Sequence, residues 1–169
     1  MPESPSHLTL VLGGARSGKS RHAETLVTAL PPPWVYVATA QPFDAEMAAR
    51  IAEHRARRAA GWQTIEAPLD LEGALAGDRP VLVDCLTLWL SNLMLGGHDI
   101  ARATAALEAA LAARAAPTVL VANEVGLGIV PDNALARAFR DAAGRLNQTL
   151  AARADTVLFL VAGLPMRVK

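Results

Sequence analysis

Charge of one sign, cysteine and long apolar runs are what this chain has little of. Its 16 basic residues are matched by 16 acidic ones, the formal net charge is zero, and no basic tail or block stands out. A nucleic-acid groove needs a strong cationic footprint, so that class of partner is set aside. The one cysteine, Cys85, has no second thiol to pair with, which fits a cytoplasmic protein. No apolar run is long enough to span a bilayer, and Met1 to Leu12 lacks the cationic start of a signal peptide. No two histidines sit at metal-ligand spacing, so a zinc site is unsupported. There is no linker and no internal repeat. The 169 residues, 52% of them apolar, suit one ordered domain (1–169) with a real core and a loose tail over 1–7.

What is present is a strong local pattern. The apolar run Leu8–Leu12 leads into Gly13-Gly14-Ala15-Arg16-Ser17-Gly18-Lys19-Ser20, and a helix-compatible run follows to Leu30. Strand, glycine loop, Lys-Ser and helix are the parts of a P-loop, G-x-x-x-x-G-K-[ST]. The glycines let consecutive N–H groups curl around a phosphate chain, and the helix start adds partial positive charge. Lys19 can reach the β and γ phosphates, and the Ser20 hydroxyl can ligate Mg²⁺.

The rest of the chain alternates strands with helices. Pro31-Pro32-Pro33 stops the first helix. Strands are expected at 34–38, 62–66, 80–84 and 118–122, with 156–161 closing the series as the last. Helices are expected from an Asp44 N-cap to about Ala60 with Gly61 as the stop, at 69–76, 86–95 and 99–115, and over 134–153. The alternation predicts an α/β fold with a mainly parallel central sheet flanked by helices. Ala38-Thr39-Ala40 and the Asn123–Asn133 loop then lie at carboxyl ends of strands, where ligands bind in open α/β sheets.

Two further groups carry chemistry. Asp84 ends a buried strand, where P-loop proteins place an acidic residue on Mg²⁺; the same position also suits an N-cap for the helix at Leu86. In Arg50-Ile51-Ala52-Glu53-His54-Arg55-Ala56-Arg57-Arg58, helical spacing stacks Arg50, His54 and Arg58 on one face. An imidazole among guanidinium groups makes an anion site that also holds a nucleophile. The run equally reads as a solvated helix face, with Glu53 and Arg57 an ordinary i,i+4 pair. Glu124 either contacts substrate or metal or is merely exposed in a glycine turn.

Taken together, Gly-Gly-Ala-Arg-Ser-Gly-Lys-Ser at 13–20, Ala-Thr-Ala at 38–40, Arg-Ile-x-x-His-Arg-x-Arg-Arg at 50–58, Val-Asp-Cys-Leu-Thr-Leu-Trp-Leu-Ser-Asn-Leu at 83–93 and Asn-Glu-Val-Gly-x-Gly-Ile-Val-Pro at 123–131 resemble one family. It is the bifunctional adenosylcobinamide kinase and adenosylcobinamide-phosphate guanylyltransferase of cobalamin synthesis, and the resemblance runs along nearly the whole chain. It implies a RecA-like P-loop NTPase fold and a trimer, with Trp89, Leu90 and Leu93 as exposed interface candidates. It implies that ATP or GTP phosphorylates adenosylcobinamide, with Mg²⁺ held by Ser20 and Asp84. GTP then guanylylates His54, which passes GMP to adenosylcobinamide phosphate. The family's nucleotide contacts fall on Gly13, Gly14, Ala15, Arg16, Ser17, Gly18, Lys19, Ser20, Ala38, Thr39, Ala40, Arg55, Ala56, Arg57, Arg58, Glu66 and Asp84. His54 and Lys19 are the catalytic candidates. A plain P-loop kinase would share all of this except the covalent His54 adduct. A GTP-dependent switch would normally carry Asn-Lys-x-Asp, which is absent.

Overall fold

The computed structural model describes residues 7–58 and 60–169. In chain order the elements are β1 (Leu8–Gly13), α1 (Lys19–Thr28), β2 (Trp34–Ala38), α2 (Ala45–Arg57), β3 (Trp62–Glu66), α3 (Leu71–Ala74), β4 (Val81–Asp84), α4 (Leu86–Leu95), α5 (Ile100–Ala113), β5 (Thr118–Asn123), α6 (Ala134–Arg153), β6 (Thr156–Val161) and β7 (Leu164–Arg167). Six strands pair in parallel and β7 runs antiparallel to β6, in the order β3-β2-β4-β5-β1-β6-β7. The expected α/β fold with a mainly parallel sheet is the one observed. Apart from His7, the expected tail lies outside the described residues. The His7 carbonyl already accepts the Thr118 N–H at 2.8 Å, at the head of the β1–β5 ladder.

Alternation along the strands divides the core between the two faces of the sheet. Leu10, Val81, Val83 and Leu120 face α3 to α6, meeting Leu71, Leu86, Leu90, Leu107 and Leu150. Val11, Leu82, Val119 and Val121 face the other way, onto Ala23 and Val27 of α1 and the aromatic group of Trp34 and Tyr36. Each fully buried Leu or Val contributes about 1.5–3 kcal/mol of transfer free energy. These two layers therefore fix the sheet and leave its carboxyl edge free for polar work.

Four features differ from the sequence expectation. Val161 does not end the sheet, because Ala162 (φ 50°) and Gly163 (φ 80°) turn the chain back into β7. Pro165 removes a donor from that strand, which an edge position tolerates. Trp89, Leu90 and Leu93 are not exposed but at most 3% accessible. α4 is apolar nearly all round and so packs inside, with Trp89 Nε1 donating to the Leu69 carbonyl at 2.9 Å. α2 stops at Arg57, short of Ala60, and Arg58 turns to extended backbone (φ −73°, ψ 135°). Gly61 (φ 108°) lies beyond the helix rather than closing it; an added Cβ there would come within 2.9 Å of the Trp34 ring. Among the described residues no helix is long and apolar enough to cross a membrane.

Candidate active site

β1 lies between β5 and β6, so the loop that leaves its carboxyl end emerges at the middle of the sheet edge. The glycines there answer to measurable constraints. A Cβ on Gly13 would fall 2.4 Å from Ser17 Oγ and 3.0 Å from the Leu160 carbonyl oxygen. Gly18 has φ 90°, a conformation that other residues adopt only under strain. The loop is tied down from two sides, by the Glu124 N–H to the Gly13 carbonyl (3.0 Å) and the Gly163 N–H to the Ser17 carbonyl (2.9 Å). Lys19 Nζ bends back to donate to the Gly14 carbonyl at 3.0 Å.

Helix starts separate into two classes. α2, α3, α5 and α6 begin with side-chain caps from Asp44, Asp70, Asp99 and Asn133. α1 and α4 begin at Gly18 and Cys85 without one. Lys19 and Ser20 at the start of α1, and Leu88 in the first turn of α4 with the N-cap residue Cys85, line one cleft of about 290 Å³. Uncapped N–H groups and the positive end of a helix suit an anion.

The same cleft is lined by Tyr36, Ala38, Ala40, Asp84 and Asn123 from strand ends and by Met47, Arg50, Ile51, His54, Arg55 and Arg58. Asp84 does not cap α4. Its Oδ2 accepts the Tyr36 hydroxyl at 2.7 Å, and burial followed by the Asp84 charge pushes that phenol far above its ordinary pKa. Tyr36 is thus a fixed donor that leaves the other Asp84 oxygen for a ligand. A second cleft, about 510 Å³, lies across the loop and is lined by Arg16 to Arg21, Arg50, Glu53, His54 and Arg57. Lys19, Ser20, Arg50 and His54 border both clefts.

The sequence candidates separate accordingly. Arg58 is not stacked on the α2 face with Arg50 and His54, since it lies past the helix end. Its guanidinium sits 3.7 Å above the Tyr36 ring and donates to Thr64 Oγ1 at 3.2 Å. Arg57 pairs with Glu24 of α1 at 3.9 Å, and its Nη2 lies 3.4 Å from His54 Nδ1. Arg55 pairs with Glu66. Thr39 is fully buried and clamps strand ends, its Oγ1 donating to the Cys85 carbonyl (2.7 Å) and accepting the Cys85 N–H (2.9 Å). Gly13, Gly14, Ala15, Thr39, Ala56 and Glu66 line neither cleft. Glu124 accepts the Gly126 N–H at 2.7 Å, so it shapes its own loop. The residue before it, Asn123, was not singled out by the sequence. Its N–H is held by Thr87 Oγ1 (2.7 Å) and its carbonyl by Asn147 (3.2 Å), while its buried Oδ1 accepts nothing among the described residues. Tyr36 was also missed, because its signal was that of a strand aromatic.

Among solved structures, a flagellar accessory protein of Methanocaldococcus jannaschii superposes with a TM-score of 0.56 at 11% identity, over 98% of this chain and 80% of that one. A type III secretion ATPase gives 0.60 at 8%, over 96% of this chain and 57% of that one. At such identities the likeness is one of fold alone. In sequence, the bifunctional adenosylcobalamin biosynthesis protein CobP of Pseudomonas aeruginosa is 50% identical over 95% of this chain and 96% of its own length. The bifunctional adenosylcobalamin biosynthesis protein CobU of Salmonella typhimurium is 46% identical over 96% of this chain and 99% of its own. The model of the family described as cobinamide kinase / cobinamide phosphate guanyltransferase matches residues 9–168. By sequence, over nearly its whole length, the chain belongs to that nucleotide-using family.

Proposed function

We propose that this chain carries both family activities at one phosphate loop, and that His54 is the residue that separates them. The observation that supports this is the place of His54: it borders both clefts that share Lys19 and Ser20. In the kinase step the aminopropanol hydroxyl of adenosylcobinamide attacks the γ-phosphorus of ATP or GTP; the bond from that phosphorus to the β–γ bridging oxygen breaks, its electron pair leaves with the nucleoside diphosphate, and the hydroxyl proton is released to solvent. Lys19 and the N–H groups of residues 13–20 hold the transferring and leaving phosphates. In the guanylyl step a lone pair on the His54 ring forms a bond to the α-phosphorus of GTP. The bond from that phosphorus to the bridging oxygen breaks, and its electron pair leaves with pyrophosphate. A phosphate oxygen of adenosylcobinamide phosphate then attacks the same phosphorus, the N–P bond breaks, and His54 is regenerated with adenosylcobinamide-GDP as product.

Among the described residues no three His, Cys, Asp or Glu side chains group as metal ligands. Mg²⁺ delivered with the triphosphate is held by few protein groups plus phosphate oxygens. Ser20 and the Asp84 oxygen left free by Tyr36 would hold it. Bound there, it would neutralise charge on the phosphate oxygens. Arg50, Arg55 and Arg57 would bind phosphate oxygens beside His54. Glu66, on the outer side of Arg55, would accept from the guanine N1–H and amino group. The reading places the enzyme in the cytoplasm, with its triphosphates, as an oligomer.

The test is labelling with α-labelled GTP and Mg²⁺, without corrinoid, read on a denaturing gel. Wild type should take a label that acid removes and alkali spares, and both His54→Ala and Lys19→Ala should abolish it. No label on folded, GTP-binding wild type would leave a plain kinase, with His54 on a solvated helix face.

A further inference from the structure

One carboxylate in the site has no part in that scheme. Glu24 lies on α1 one turn beyond Ser20, its side chain 15% exposed. Its Oε1 is buried and accepts no hydrogen bond among the described residues. Facing it are Arg57 and His54 of α2, Arg58 just past that helix, and Asp84 at the end of β4. Arg57 Nη2 stands between two acceptors, 3.9 Å from Glu24 Oε1 and 3.4 Å from His54 Nδ1.

A carboxylate oxygen buried without a hydrogen bond costs free energy that an apolar side chain there would not. Desolvation accordingly raises its pKa, with Arg57 opposing. The surroundings suggest what that cost supports. A guanidinium has donors only, so the imidazole nitrogen it meets is the one offering its lone pair. Attack on phosphorus needs that lone pair. A carboxylate is a better partner for a guanidinium than a neutral ring nitrogen is, because both partners are then charged. Moving the guanidinium by about 1 Å, to ordinary hydrogen-bond distance, would exchange one acceptor for the other.

We propose that Glu24 is a positioning residue for the nucleophile: it draws the Arg57 guanidinium onto itself and so leaves His54 Nδ1 open to the α-phosphorus. The inference rests on the reading of His54 as nucleophile. It assigns the Glu24 carboxylate no bond-making role. It acts on the reaction through Arg57.

The experiment is single-turnover labelling by α-labelled GTP, with equilibrium GTP binding and thermal melting in parallel. The proteins are wild type, His54→Ala, Glu24→Gln, Glu24→Asp, Arg57→Gln and the double variant Glu24→Gln/Arg57→Gln. Glu24→Gln should label about ten- to a hundredfold more slowly, the range expected for a misplaced reacting group. GTP affinity should hardly move, and Glu24→Asp should recover part of the rate. Melting should hardly move, because the oxygen that changes is desolvated without a hydrogen bond and its pairing with the half-exposed Arg57 is long. With Arg57 already replaced, Glu24→Gln should have no further effect, the signature of two residues acting as one. An unchanged labelling rate in Glu24→Gln overturns the inference. So does an equal loss in both Arg57 backgrounds, or a joint fall in rate, affinity and melting temperature. The two readings fail in different ways. Unlabelled wild type removes the His54 reading. Label on wild type, none on His54→Ala and full rate in Glu24→Gln removes only the role of Glu24.

Discussion

At the amino-terminal edge of the sheet, Arg114 is 8% exposed and every nitrogen of its guanidinium donates. Nε gives to Thr118 Oγ1 (2.9 Å), Nη1 to the carbonyls of Leu75 and Gly77, and Nη2 to that of Arg79 (2.7 Å). At the carboxyl edge, Glu24 Oε1 is buried beside the phosphate loop and accepts no hydrogen bond among the described residues, and Ser17 Oγ and Asn123 Oδ1 are in the same condition. One end of the molecule ties the α3–β4 and α5–β5 connections together with a satisfied charge. The other keeps polar atoms unpaired where a phosphate chain would come. Native interiors rarely leave polar groups unbonded, so their concentration at one edge supports the proposed site, where a ligand would complete the structure.

The largest break in that comparison should come from Lys19→Ala. Losing a donor aimed at developing phosphate charge should lower both activities about a hundred- to a thousandfold. Its melting temperature should stay near that of wild type, since the side chain makes one hydrogen bond, to the Gly14 carbonyl. Comparable losses of stability and activity would show that the two edges do not differ as described. Arg114→Ala should do the reverse. Stranding the buried carbonyls should cost about 3 kcal/mol, which for a chain of this size lowers the melting temperature by about 6–12 °C. GTP labelling of the protein that remains folded should continue, and a stable but inactive Arg114→Ala would contradict the assignment.

The smallest effect concerns Cys85, which caps α4 at the reactive edge. A helix start normally lowers a thiol pKa, but burial prevails here and, with the Asp84 charge adding, pushes it up to about 11. At pH 8 the thiolate is then about 0.1% of the total. Iodoacetamide should leave the native protein unmodified over an hour and modify it fully in guanidinium chloride. Rapid native modification would mean that this edge is more open than the structure shows.

The sequence made the phosphate loop, the strand–helix order and Asp84 at its strand end readable, because each has a local signature. Glycine spacing, proline stops and apolar runs are properties of neighbouring residues. What it hid depends on distant ones. β7 carries a proline and follows an Ala-Gly turn, neither a strong strand signal, and it pairs only because β6 has an open edge. Trp89 looked like an interface residue until α4 was seen to be covered by α5 and α6. Arg58 fits the helical spacing of α2, yet the Tyr36 ring and Thr64 draw it off that face. The Glu24–Arg57–His54 contact joins two helices with no sequence pattern in common, so spacing alone could not reveal it.

The turn at Ala162-Gly163 has a meaning beyond starting β7. Gly163 donates to the Ser17 carbonyl, and its Cα lies 3.2 Å from where a Gly18 side chain would begin. The phosphate loop is therefore moulded between two walls, the β5 end on one side and this hairpin on the other, before any nucleotide arrives. Such a mould spares the ligand the entropic cost of organising the loop, and affinity lost elsewhere in the cleft can be tolerated. It also gives the hairpin a share in the proposed chemistry: Gly163 helps set the curvature of the segment that would hold the phosphates.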